Sequence, residues 1–346
     1  MKMEELMGLY LSELKETLTE MGEKPFRAEQ VFGWLQKGVP FEKMNNLPLA
    51  LRNRLAAQFI DMPVSILEKH VSRLDGTIKL LYGLKDGNCV EGVLMRYHYG
   101  CTLCISTQVG CRMGCRFCAS TLEGCVRSLS AAEMLGQIHC ANEILENETV
   151  HNVVLMGSGE PLDNYDNVVR FLRLATDEKG LNIGVRHISL STCGLVPQML
   201  RFSQEGLPVT LSLSLHAPDD ETRKLLMPIA QRYTVKETID ACRVYLEKTG
   251  RRIIFEYALI DHVNASPEHA EKLADLLRGL QCHVNLIPLN TVKERNLYGV
   301  TEKQVALFLD TLEKRHISAT RRREMGDDIQ GACGQLRKSY IQGGNV

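Results

Sequence analysis

Three cysteines, Cys111, Cys115 and Cys118, stand at C-x3-C-x2-C spacing within STQVGCRMGCRFCAS. Thiolates this close in sequence can share one loop, and they are soft donors suited to zinc or to iron–sulfur clusters. A structural zinc site takes four protein ligands, and no fourth follows at finger spacing. A cubane of four irons and four sulfides held by three thiolates would keep one iron without a protein ligand, open to a small molecule. The spacing by itself supports a metal-binding loop and leaves both chemistries open. Gly110 and Gly114 give the backbone freedom to wrap such a group.

Other residues of chemical interest lie far away in the chain. The string MGSGEPL, residues 156–162, contains Gly157, Gly159 and Glu160, where small residues permit close backbone approach. Ser191, Ser214, His216, Asn285 and Asn290 fall near the ends of strand-like segments, each compatible on its own with an ordinary cap or turn. Cys333 sits among small residues in GDDIQGACGQL, which makes it a candidate nucleophile. Cys104 precedes Cys111 by seven residues and could meet Cys333 in space. Glu91 lies within a strand-like segment, one position before a glycine.

These residues need elements to hold them. The first 70 or so residues read as helical: Leu11, Leu14 and Leu18 share a face, Phe26 to Leu35 resumes the pattern with Gly38 as its C-cap, and a third helix runs from about 47 to 59. Residues 77–99 read as two strands joined at Asp86-Gly87, a hairpin signal. Strand candidates then follow at 103–107, 152–156, 185–190, 209–215, 253–259 and 283–287, with a last short one at 316–320. Helix starts are marked by Ser130 with Glu133, Thr234 with Glu237, Thr301 with Gln304, and Ser266-Pro267. Strand-then-helix repeated about six times argues an α/β fold with a parallel sheet, either open and doubly wound or a partial barrel. In both, ligands gather at the carboxyl ends of the strands, where the unusual residues fall.

The chain of 346 residues has 44% hydrophobic and 24% charged residues and a formal net charge of -1, so composition announces no nucleic-acid partner. The beginning, MKMEELMGLY, reads as neither signal peptide nor anchor, and no apolar run could span a membrane, so the expected compartment is the cytoplasm. Seven of the 12 cysteines fall between Cys89 and Cys125, which in a reducing compartment suggests metal ligation or thiol chemistry. Cys140, Cys242 and Cys282 lie in apolar-patterned elements and read as ordinary buried thiols.

The cysteine motif resembles the signature of the radical S-adenosylmethionine enzymes, with Phe117 at the usual aromatic position. The ordered set Glu91, TLCISTQVGCRMGCRFC, GSGEPLDN, SLHAPDD, HVNLIPLN and RRREMGDDIQGACGQL resembles the ribosomal RNA adenine carbon-2 methyltransferases over residues 80–340, and the helical start is similar to their accessory domain. Close relatives methylate carbon 8 of the same adenosine; an Arg pair upstream of GDDI is recurrent in the carbon-2 enzymes. Two positions depart from the family pattern: Ser158 stands where Met is general, and Cys193 where Ser is.

The resemblance implies a partial (β/α)6 barrel resembling a TIM barrel over residues 101–300, an N-terminal helical domain over 1–72, a β-hairpin extension over 73–100, and a C-terminal helix, strand and cysteine loop over 301–346. It implies one 4Fe-4S cluster on Cys111, Cys115 and Cys118, and two molecules of S-adenosyl-L-methionine per turnover. Gly159, Glu160, Ser191, Ser214, His216 and Asn290 would bind the cosubstrate. One S-adenosylmethionine would methylate Cys333; a radical from the second would remove hydrogen from that methyl, and the resulting methylene radical would attack carbon 2 of adenine. Cys104 would resolve the covalent RNA adduct by forming a disulfide with Cys333, with Glu91 carrying a proton or positioning the base. Carbon 2 of adenine is electron-poor, so a radical route suits it where polar methyl transfer fails. The implied partners are 23S rRNA, with tRNA left open, and an electron donor such as flavodoxin or ferredoxin; the chain would act as a monomer. The target base must leave its stack. The helical domain, Lys314–Arg315 and Arg321–Arg322–Arg323 are candidates for phosphate contact. A carbon-8 methyltransferase, a radical enzyme that does not methylate its own cysteine and a zinc-stabilised RNA-binding module are the competing readings.

Overall fold

The computed structural model describes residues 4–289, 296–331 and 334–336. A helical layer comes first. Helix α1, Leu11–Glu20, begins where the Tyr10 N–H donates to the Glu13 carboxylate at 2.7 Å, and it buries Leu14 and Leu18. Helix α2, Phe26–Leu35, buries Ala28, Val31, Phe32 and Leu35, and the chain turns back through Gly38 in the left-handed region. Helix α3, Leu49–Gln58, buries Leu51 and Leu55 and leads to β2, Phe59–Ile60, which pairs with β1, Glu4–Glu5. Apolar side chains from Leu6 to Ile317 form one continuous core, so this layer is packed onto the rest rather than hung from it. An Arg170–Glu13 ion pair crosses the seam.

The main sheet has ten strands. Three antiparallel strands, β3 (Val64–Val71), β4 (Ile78–Leu84) and β5 (Cys89–Tyr97), lead into β6 (Gly100–Cys104). A small hairpin, β7 (Gln108–Gly110) with β8 (Cys125–Ser128), stands apart from it. The sheet then continues in parallel from β6 through β9 (Val150–Leu155), β10 (Ile188–Thr192), β11 (Thr210–Ser214), β12 (Ile253–Leu259) and β13 (Cys282–Pro288) to β14 (Ala319–Arg321). Six parallel strands from β6 to β13 make the partial barrel that the sequence implied. Helix α4 (Ala131–Ile144) follows β6, α5 (Tyr165–Ala175) follows β9, and α6 (Val196–Phe202) follows β10. Helices α7 (Asp220–Leu226) and α8 (Val235–Thr249) follow β11, α9 (Pro267–Leu277) follows β12, and α10 (Glu302–Lys314) joins β13 to β14. The capping boxes at Ser130, Thr234 and Thr301 are all formed, and Ser266 caps α9. No described helix is long and apolar enough to cross a membrane.

Several local expectations differ from the structure. The extension has three strands rather than two, because β3 occupies residues assigned to the helical start. Most of β3 faces solvent, with Glu68, Lys69, His70 and Val71 in sequence, so it lacks the apolar alternation that marks a half-buried strand. Residues 185–187 form a short 3-10 turn before β10. The hairpin β7–β8 brackets the cysteine loop and carries no strong pattern of its own. Cys140 and Cys242 are buried as expected, whereas Cys282 is only half-buried.

Candidate active site

The cysteine loop leaves β7 and returns at β8, closed at its base by the Cys111 N–H donating to the Gly124 carbonyl at 2.9 Å. The Thr121 hydroxyl reaches the carbonyls of Cys115 and Cys118, at 3.1 and 2.9 Å, which folds the loop onto itself. Cys111, Cys115 and Cys118 all line one open cleft of about 930 Å³, its solvent-filled mouth included. Burial pushes the Cys111 thiol up to about 12, with Glu160 and the neighbouring thiols adding to it. Burial raises Cys115 well above the usual thiol range, reinforced by Cys118 and Cys111. Three thiols on one cleft wall are a donor set that fits an iron–sulfur cluster, whose cationic irons favour the thiolate form. Among the described residues no three His, Cys, Asp or Glu side chains are gathered as a single metal ion would require.

The remaining walls come from the carboxyl ends of the barrel strands. After β9, Gly159 takes φ +108°, and a Cβ there would lie 2.7 Å from the backbone nitrogen of Gln108. Only glycine fits this close passage between two loops. Glu160 is buried, and burial raises its carboxyl above the ordinary range. Its oxygens accept from the Leu162 N–H at 3.0 Å and the Cys193 N–H at 2.8 Å, so the side chain also holds its loop in shape. Ser191 and Ser214 face the cleft with their hydroxyls 3.3 Å apart. His216 has φ +55° and packs edge-on against Phe117, with ring centroids 4.6 Å apart. Burial holds its imidazole down at about 3. Because Nδ1 accepts from the Ala258 N–H at 2.9 Å, the neutral ring carries its proton on Nε2, a donor. Asn290 lies outside the described residues.

Of the two departures from the family pattern, only Cys193 lines the cleft. Ser158 is buried but does not line the cleft; its N–H donates to the Ser106 hydroxyl and its carbonyl accepts from Thr107 and Gln108. Cys193 lines the cleft, and its backbone serves Glu160 and Arg223.

Sequence reasoning missed Glu256. It is buried in the middle of β12 and lines the cleft; Oε1 accepts from the Asn285 amide at 3.0 Å, while Oε2 has no hydrogen-bond partner. The Arg322 guanidinium lies 3.6 Å from that oxygen, an ion-pair distance beyond hydrogen-bond reach. The available signal was a lone acid inside the apolar run IIFEYAL.

A second cavity adjoins the first and shares Met156, Ile287, Pro288 and Arg322 with it. Cys104 lines this outer cavity, beside Val93, its antiparallel partner on β5, and Met95. Glu91 points to the same face of β5 as Val93 but lines neither cavity; it is buried and pairs with Lys79 at 3.3 Å. Cys333 lies outside the described residues. Gly331, before it, lines the outer cavity, and Gly334, after it, lines the inner one. The described residues on either side of Cys333 are tied down. Ala119 donates to the Gly334 carbonyl at 2.7 Å and the Ser120 hydroxyl to that of Leu336 at 2.9 Å, while Asp75 and Asp328 bind backbone across the β3–β4 turn.

The Radical SAM superfamily pattern matches residues 105–277, and that of the Ribosomal RNA large subunit methyltransferase N-terminal domain matches residues 4–60. A protein of Alkaliphilus oremlandii described as "Probable dual-specificity RNA methyltransferase RlmN" is 53% identical over 339 residues, 98% of each chain. The chain belongs to the RlmN family. Another RlmN relative, from Clostridium perfringens, is 52% identical over 342 residues, again 98% of each chain. A crystal structure of a radical SAM methyltransferase from Sphaerobacter thermophilus superposes with a TM-score of 0.93 at 44% identity, covering 97% of this chain and 99% of that one. Membership in the RlmN family thus spans the helical layer, the antiparallel extension and the barrel together.

Proposed function

We propose that this chain is a radical S-adenosylmethionine methyltransferase that methylates carbon 2 of an adenosine in 23S rRNA, with tRNA as a second proposed substrate; its relatives are described as dual-specificity RNA methyltransferases. The observation that carries the reading is the pair of adjoining cavities. The inner is lined by Cys111, Cys115 and Cys118 with Gly159 and Glu160, the outer by Cys104, and Gly331 and Gly334 on either side of Cys333 lie one in each.

Cys111, Cys115 and Cys118 would hold a 4Fe-4S cluster, which with S-adenosylmethionine supplies a carbon radical able to act where polar chemistry cannot. Gly159, Glu160, Ser191, Ser214, Asn290 and the Nε2–H of His216 bind and orient the cosubstrate. Cys333 carries the methyl group as a thioether, which loses a hydrogen atom to the carbon radical and bonds carbon 2 of the base through the resulting methylene. Once the adduct radical has given up one electron and carbon 2 its proton, the Cys104 thiolate attacks the Cys333 sulfur; the disulfide forms as the S–CH2 bond breaks, and the released electron pair takes up a proton to complete the product methyl. Glu91, buried and paired with Lys79, lines neither cavity, so it acts at one remove from the base, as a proton carrier or a positioning group. The shared wall of Met156, Ile287, Pro288 and Arg322 separates the cosubstrate from the base and keeps both within reach of one segment. The enzyme works in the cytoplasm as a monomer, with electrons from a flavodoxin or ferredoxin.

Anaerobic turnover with S-adenosylmethionine and a 23S rRNA fragment tests this. The product should be 2-methyladenosine, Cys333→Ala should abolish methylation, and Cys104→Ala should accumulate RNA covalently bound to protein. Replacing any one of the three loop cysteines should remove the iron. Appearance of 8-methyladenosine would reassign the reaction to carbon 8. Zinc without iron, or normal methylation by Cys333→Ala, would refute the mechanism.

A further inference from the structure

The turn between β5 and β6 carries an aromatic group that the fold does not need. Tyr97 and Gly100 are paired across the ladder, which leaves His98 and Tyr99 as a two-residue hairpin tip. Such tips favour Gly, Asn and Asp, and an aromatic ring there gains little from the core. Tyr99 is 58% exposed. Its ring nevertheless has a fixed arrangement: it stacks on Tyr97 with centroids 4.9 Å apart and planes inclined by 6°, and His98 meets it edge-on at 5.0 Å. Tyr97 is in turn held from below, where its hydroxyl donates to the Met95 sulfur at 3.5 Å.

The position of this stack gives it chemical meaning. Tyr97 lines the outer cavity with Cys104, and Arg322 and Arg323 line that cavity too. Burial raises the Tyr99 phenol above its ordinary range, and the Arg322 charge partly offsets that rise. A flat exposed aromatic surface beside two guanidinium groups matches the two parts of a nucleotide, a π-faced base and an anionic phosphate. A base taken out of its stack also leaves its neighbour with an exposed face.

We propose that the Tyr97–Tyr99 stack is a platform for the unpaired RNA base flanking the target adenosine, with Tyr99 presenting the contacting face and Arg323 meeting the adjoining phosphate. This rests on the proposed RNA methyltransferase reading and specifies how that substrate is held. Stacking on a ring tolerates every base, so the platform fixes the geometry of the flanking nucleotide without reading its identity.

The test uses anaerobically reconstituted holoenzyme and a 23S rRNA hairpin carrying 2-aminopurine beside the target adenosine. Wild type and Tyr99→Phe should quench the probe on binding. Tyr99→Ala and Tyr99→Leu should leave it bright and weaken RNA binding roughly 5- to 150-fold, the range for losing one base–aromatic stack. The salt dependence of binding should stay unchanged in these variants, because no phosphate contact is lost. Binding of S-adenosylmethionine should also stay unchanged, which separates loss of the platform from misfolding of the turn. Unaltered quenching and affinity in Tyr99→Ala, with wild type active, would overturn the platform alone. So would self-association through Tyr99 with no effect on RNA. A wild-type enzyme that neither binds nor methylates RNA would remove the functional reading, and the platform with it.

Discussion

Two carboxylates line the inner cavity, and their surroundings give them different tasks. Glu160 ties its own loop, through the Leu162 N–H, to the loop after β10, through the Cys193 N–H. Glu256 keeps an oxygen without a hydrogen-bond partner, facing Arg322. Removing the Glu160 side chain would therefore strand two buried donors, each costing about 1–3 kcal/mol. Glu160→Ala should lower unfolding free energy by roughly 2–6 kcal/mol in urea denaturation of the protein without its cluster, before any loss of cosubstrate affinity is counted. Glu160→Gln, which keeps one acceptor oxygen, should recover about half of that loss. Equal stability in Glu160→Ala and wild type would show that its loop is held by other means.

Helix α4 is buried on nearly every side, from Ala131 to Ala141, because the helical layer covers one face and the sheet the other. His139 sits in that seam, its Nε2 without a hydrogen-bond partner and its imidazole held down at about 4 by burial. The folded-state value is below the ordinary one of about 6.5, so between those values the unfolded chain binds a proton that the folded chain does not. Stability from this group is complete above about pH 6.5 and is lost as pH falls towards 4, by up to a few kcal/mol. Thermal melts across that range should show the decline, and His139→Phe should reduce it, leaving the part that buried His216 contributes. The same seam should reject Gly38→Ala. Gly38 has φ +68°, and a Cβ there would meet the His139 ring at 2.8 Å, so a loss of about 1–3 kcal/mol in denaturant melts is expected.

At this scale the helix starts were legible in the sequence because a cap is a local signal: Ser130, Thr234, Ser266 and Thr301 each bond within three residues. Strand β3 was not legible, since what fixes it is pairing with β4 rather than its own pattern. The site divides along the same line. The cysteine spacing and the MGSGEPL turn are local and could be read directly. Glu256 with Arg322, and the shared wall of the two cavities, exist only through contacts made across the barrel.

For the molecule as a whole, a formal net charge of -1 leaves RNA affinity to the placement of charge rather than its sum. Among the described residues, about half of the arginines pair with carboxylates. Arg315 is held by Glu271 and Asp275, Lys314 by Asp310, and Arg321 by Glu302, so these candidates for phosphate contact are already neutralised within the fold. Arg323 differs: it is exposed, lines the outer cavity and forms no ion pair among the described residues. Each phosphate that a cation neutralises adds about 0.7 to 0.9 to the slope of log affinity against log salt. Arg323→Ala should therefore reduce that slope by about one contact and weaken RNA uniformly across sequences. Arg315→Ala should leave the slope unchanged, because breaking its pairs frees carboxylates rather than releasing a phosphate. Titrating both variants with the same RNA between low and physiological salt decides the matter. If Arg315→Ala lowers the slope and Arg323→Ala does not, RNA is held along α10 instead of at the mouth of the outer cavity.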